Sequence, residues 1–263
     1  MSTISSSPVY GYHGGRLIRD AATVIFTILI ALLGAAMMTI TSSPLMKGAS
    51  FLWLPAALQL IAGVWLGPIR GFIAGGIGAQ AASVIAYGGW APADFIMNLV
   101  ASGVANSWLP GVMFRWLRID PALGSKADPW WRAGPVLLGI VILVIGIALA
   151  QIFYGQKIGL TRDWGYVLPL VLLLAVPFVW RSMTFGTRDF FLGLLVAVVS
   201  CFLSAVLGTW GAVVGGQTWE AALLAVGVGW FWGDTASAIL GLYILAQFTG
   251  WAQKIGIAPV VNR

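Results

Sequence analysis

The sequence predicts an all-α membrane bundle of eight transmembrane helices with both termini on the cytoplasmic side. Three observations carry this reading. Only 8% of the 263 residues are charged and 60% are hydrophobic, with a mean hydropathy of +0.94. A soluble domain carries about 25% charged residues, so lipid is the solvent that suits most of this surface. Apolar runs of membrane-helix length recur along the chain between short Gly/Pro/Trp-rich turns. The basic residues collect in every second connection, which is how topology is written into a polytopic chain.

Residues 1–20 are polar and Ser-rich and read as a cytoplasmic tail, with no cleavable signal peptide. The transmembrane domain is 21–247. Its eight segments are Ala21–Ile40, Phe51–Leu66, Gly71–Ala86, Phe95–Phe114, Val136–Tyr154, Tyr166–Trp180, Phe190–Val213 and Ala221–Gln247. The second, third and sixth are short against the roughly 20 residues that a full span needs. Pro55, Pro169 and Pro177 are expected to kink the helices that hold them. Residues 248–263 form a short cytoplasmic tail. With every segment crossing, the inner side receives Arg16, Arg19, Arg70, Arg115, Arg118, Lys126, Arg132, Arg181, Arg188, Lys254 and Arg263. The outer side receives only Lys47, Lys157 and Arg162 of the 14 basic residues.

Small residues recur every fourth position. Gly71, Gly75 and Ala79 form one stripe on the third segment, and Ala74, Gly78 and Ala82 another. Ser200, Ser204 and Gly208 repeat the pattern on the seventh segment, and Gly233, Ser237 and Gly241 on the eighth. Such stripes let helix backbones approach closely in lipid, so these positions are assigned to helix packing.

Asp234 is the most informative residue. It lies deep in the last apolar run, where an unpaired carboxylate costs several kcal/mol and turns to a protein interior rather than to lipid. Three readings are open: a tether between helices, a contact for a ligand or partner, or a proton or ion relay. Asn98, Ser102 and Asn106 follow at i, i+4 and i+8 on the fourth segment. They share one inward face because an amide is unsatisfied in lipid. Asn106 is the expected partner of Asp234. Gln59, Gln80 and Gln151 are further polar candidates. Trp230 and Trp232 stand beside Asp234, and Trp53 precedes Pro55. Two readings are open for Trp230 and Trp232: walls of an apolar pocket around one polar anchor, or packing residues; Trp53 is a further candidate contact for the ligand or partner. Trp130 and Trp131 read as an interfacial belt.

The chemistry of enzymes is missing. The one histidine, His13, lies in the polar tail, and the one cysteine, Cys201, in an apolar run, so no metal cluster and no activated nucleophile is expected. There is no phosphate-binding loop or dinucleotide fingerprint; Gly75-Gly76-Ile77-Gly78 belongs to a membrane helix. The sequence therefore implies no catalysis and no cofactor. The net charge of +6 is scattered singly between apolar segments and does not mark a nucleic-acid surface.

Three stretches together resemble MASE1 domains, a family of eight-helix membrane-embedded bacterial sensors. They are Phe51-Leu-Trp-Leu-Pro55-Ala-Ala, then Asn106 ahead of Met113-Phe-Arg115-Trp-Leu, then Gly229-Trp-Phe-Trp-Gly-Asp234-Thr-Ala-Ser-Ala. The likeness runs from about Phe51 to Leu245. The family often carries a glutamate shortly after its asparagine, where this chain has Ser107, Trp108, Leu109 and Pro110. MASE1 domains usually precede a kinase or cyclase. Here the resemblance implies a bacterial inner-membrane sensor that binds a small ligand or membrane partner and passes its signal to a separate cytoplasmic protein. A second likeness, from Ala57 to Gly75, is to the glycine-rich helices of substrate-binding subunits of energy-coupling-factor transporters. Those subunits dock their coupling partner through an alanine pair that Ala31 and Ala35 resemble. A third reading is an accessory subunit of a larger membrane complex.

Overall fold

The computed structural model describes residues 10–40, 42–43, 46–50, 52–124 and 187–261. Six helices build the described bundle. They are α1 (Arg16–Ile40), α2 (Pro55–Leu66), α3 (Pro68–Tyr87), α4 (92–116), α5 (Thr187–Val214) and α6 (Trp219–Lys254). Four of them, α1, α3, α5 and α6, are long and apolar enough to cross a membrane. The protein is thus helical and membrane-embedded. The fifth and sixth expected segments, with Pro169, Pro177, Gln151, Trp130 and Trp131, lie outside the described residues.

The centre of the bundle is α2. It is apolar all round, and all of its residues except Leu58 are buried, as expected for a helix with no polar face. It packs against α1, α3, α4 and α6, while α5 closes the far side against α4 and α6. The sequence predicts a kink at Pro55, and the structure corrects this. Pro55 occupies the first turn of α2, where its missing N–H costs nothing, and the helix starts there instead of bending. Twelve residues rise only about 18 Å, less than a hydrocarbon core of about 30 Å, so α2 is too short to span alone. Its C-terminal end is satisfied from inside the protein. Gly67 turns the chain with φ +97°, and Arg115 of α4 donates to the carbonyls of Gly111 (2.6 Å) and Gly63 (3.5 Å) and to the Tyr12 hydroxyl (2.6 Å). A guanidinium at a helix C-terminus meets both the orphan carbonyls and the negative end of the dipole.

The described helices run alternately up and down. At one end Arg70 at the start of α3 pairs with Asp20 of α1 at 2.7 Å. Arg188 of α5 donates to the Leu117 carbonyl just past α4, and Gly14 lies against Gly256 just past α6. At the other end Gly34 of α1 meets Trp53 and Ala82, and Gly211 of α5 meets Met97 of α4. Strands β1 (Tyr10–Gly11) and β4 (Val260–Val261) pair antiparallel and tie the two terminal segments together. A short hairpin of β2 (Ser42–Ser43) and β3 (Met46–Ser50) follows α1. These strands are small additions to the all-α expectation.

The packing stripes face different neighbours. Gly71 lies against the backbone of Gly63 in α2, Gly75 against Ser107 in α4, and Gly78 against Ile30 in α1. Gly241 rests on the backbone of Ala57 in α2. Gly233 and Ser237 are buried in α6, where the Ser237 hydroxyl donates to the Gly233 carbonyl.

Candidate functional site

A cluster of buried polar side chains from α2, α4, α5 and α6 interrupts the apolar interior. Asp234 of α6 is only 1% exposed. It sits about 22 Å along α6 from Trp219 and about 30 Å from Lys254, at 1.5 Å per residue, so it is deep in the bundle. Asn106 of α4 donates through Nδ2 to Asp234 Oδ2 at 2.9 Å, and Ser204 of α5 donates to the same oxygen at 3.3 Å. The second proton on Asn106 Nδ2 goes to Gln59 Oε1 of α2 at 3.4 Å. Gln59 also accepts from the indole of Trp53 at 3.3 Å and donates to the Gly75 carbonyl of α3 at 3.4 Å. Asp234, Asn106, Gln59 and Trp53, four of the residues singled out by the sequence, therefore form one connected network. Ser204 and the Gly75 carbonyl complete it.

Asn98 belongs elsewhere. Its amide donates to Gln80 Oε1 at 3.1 Å and to the Ser83 hydroxyl at 2.8 Å, nearer the α3–α4 turn, and Gln80 in turn donates to the Gly89 carbonyl. The inward face through Asn98, Ser102 and Asn106 exists, with all three buried, but it serves two separate networks.

The tryptophans do not enclose the carboxylate. Trp232 is 46% exposed and lines an apolar groove of about 680 Å³ between α5 and α6, with Phe202, Val206, Trp210, Trp219 and Leu223. The six-membered edge of the Trp230 ring packs on Gly208. Consecutive helical residues point about 100° apart, so a tryptophan two positions from an inward acid turns outward.

Three helical segments around the cluster are wound as π-helix. They are Ile73–Ile77, Ile96–Trp108 and Leu223–Val228. The first supplies the Gly75 carbonyl and the second Asn106; the third directly precedes the turn with Asp234. Within the second, Ser102 and Ser107 donate to carbonyls five residues back, Met97 and Ser102, in keeping with the wider turn. π-turns are rare and concentrate at functional sites. Periodicity of apolar residues carries no signal for them.

The network is incomplete. Among the described residues Asp234 Oδ1 and Asn106 Oδ1 are buried and accept no hydrogen bond, and the Ser200 hydroxyl, one turn from Ser204 on α5, has no partner either. The described cationic side chains Arg16, Arg19, Arg70, Arg115, Arg118, Arg188 and Lys254 all sit near one end of the bundle, and Asp234 pairs with none of them. Among the described residues no cluster of three or more His, Cys, Asp or Glu exists that would hold a divalent metal. The arrangement offers hydrogen-bond acceptors and a single acid, and no nucleophile paired with a base. The chain matches no family model, no curated protein and no solved structure.

Proposed function

We propose that the chain is a non-enzymatic, multi-pass protein of the bacterial inner membrane, of MASE1-like type, that binds a small ligand at the Asp234–Asn106–Gln59 network. It crosses the membrane eight times with both termini cytoplasmic and passes occupancy of the site to a partner protein through its cytoplasmic loops. One observation carries the reading: a buried acid whose second oxygen has no partner among the described residues, held by side chains from α4 and α5 and through Asn106 linked to α2. Buried polar groups are ordinarily satisfied, so an orphaned pair of acceptors marks a place where a further donor belongs. The pairing of β1 with β4 supports termini on a common side.

The test is mass spectrometry of the protein released from lipid nanodiscs. The wild type should retain a small ligand, and Asp234→Asn should release it while melting near the wild-type temperature. Retention of the same species by both proteins would refute the reading.

One observation favours an accessory-subunit reading instead. The groove at Phe202, Trp210 and Trp232 is apolar and open along the side of α5 and α6, a shape suited to a membrane helix of another chain. Purification in mild detergent separates the two readings, because an accessory subunit co-elutes with stoichiometric partners.

A further inference from the structure

We infer that the Asp234 site takes a compact monovalent cation, either a metal ion or the ammonium head of a primary amine, held by oxygen atoms of α4, α5 and α6. The inference rests on the site reading above and names its ligand class.

Four buried oxygens lack partners among the described residues in the same stretch of the bundle: Asp234 Oδ1, Asn106 Oδ1, Ser200 Oγ and Thr235 Oγ1. Two of them are pure acceptors, and no described residue donates to them. The serine is informative by contrast. Thr23, Thr27, Thr209 and Ser237, also in helices, each donate to the carbonyl four residues back. This is the usual way for a hydroxyl to be satisfied in an apolar helix. Ser200 does not, although it is 1% exposed. It lies one turn from Ser204, the residue that reaches Asp234 Oδ2, and so on the same face of α5. Its lone pairs are free for the same occupant.

The charge argument runs the same way. When ionised, Asp234 contributes one negative charge, and the side chains that bond to it, Asn106 and Ser204, are neutral. The nearby Cys201 thiol supplies no positive charge. One negative charge matches one positive charge. A divalent ion would leave an excess in the membrane interior, where uncompensated charge is costly. Hard oxygen ligands without sulfur or imidazole suit a hard cation or an ammonium, and not a transition metal. A single proton on Asp234 would complete the acid–amide pair with Asn106 but would leave Ser200 unmatched. A small cation would draw on the two acceptors and on a hydroxyl of the same face.

The experiment is thermal melting of the detergent-purified full chain in choline chloride, with sodium, potassium, ammonium or methylammonium chloride substituted at constant ionic strength. At least one compact cation should raise the melting temperature in a saturable way. Saturation by sodium or potassium alone identifies a metal-ion site, and saturation by ammonium and methylammonium identifies an amine site. Asp234→Asn should abolish the shift, and Ser200→Ala, a milder change in case the first variant fails to fold, should weaken the apparent affinity several-fold. Glu220→Gln, at the far end, should leave it unchanged. A melting temperature that responds to pH but to none of these cations means that a proton fills the site, and overturns the inference. So does a cation effect that persists undiminished in Asp234→Asn. If no cation acts, yet Asp234→Asn still releases a retained small molecule in the nanodisc assay, the site reading survives with a ligand of another class. If that variant releases nothing, both fall.

Discussion

Asn106 is the side chain on which the site turns. Its two amide protons divide between Asp234 Oδ2 and Gln59 Oε1, so one residue joins α6 to α2 across α4. Replacing it with leucine leaves Asp234 with Ser204 as its one described donor and removes a donor from Gln59. A buried polar group stripped of its partner costs about 1–3 kcal/mol. Asn106→Leu should therefore lower the melting temperature of the purified protein clearly, and a wild-type melt would show that the bond carries no weight. The pairing was legible in the sequence because an amide and an acid that both lie in apolar runs have few alternatives in lipid. The Trp53–Gln59 bond was not legible. Spacing placed Trp53 ahead of a proline read as a kink. Only once Pro55 is seen to start α2 does the indole fall where Gln59 can accept from it.

Helix packing decides how closely these side chains meet. Gly75 lies where α3 crosses α4, and a Cβ there would overlap the Ser107 hydroxyl and press on the Gln59 side chain. Gly75→Val adds bulk with no space to receive it, and overpacking of this kind costs about 1–3 kcal/mol. The variant should melt lower and also weaken ligand retention, because Gln59 donates to the carbonyl of this same residue. A variant with unchanged melting would show that α3 and α4 adjust freely. The small-residue spacing announced close contacts on α3 but not their directions. Gly71 faces α2 and Gly75, one repeat on, faces α4, because a fourfold repeat drifts around a 3.6-residue helix and the π-turn at Ile73–Ile77 shifts it further; Gly78, of the second stripe, faces α1. Apolar periodicity located the described helices with ends within seven residues and missed the three π-segments, since one extra residue per turn leaves an apolar run apolar.

At the scale of the whole molecule, charge and geometry agree. The basic residues that the sequence assigns to one side of the membrane, where described, gather near a single end of the bundle, around Tyr10, Tyr12 and the β1–β4 pair. The opposite end carries Asp94, which caps the start of α4 through the Ala91 N–H, and Glu220 in the first turn of α6. Acids in a first turn favour the positive end of a helix dipole, and arginines outside the hydrocarbon favour the cytoplasmic side. The arginine distribution predicts that the basic end of every described helix is cytoplasmic, and one measurement tests it. In a Cys201→Ala background, a cysteine at Arg118 or Gln253 should react in intact cells only with a membrane-permeant maleimide. A cysteine at Trp90 or Glu220 should react with an impermeant one. The reversed pattern would invert the orientation while keeping the bundle. Labelling of both ends from one side would break the up-and-down order of the helices, and with it the depth assigned to Asp234, because that residue is buried mid-membrane only if α6 runs from one face to the other.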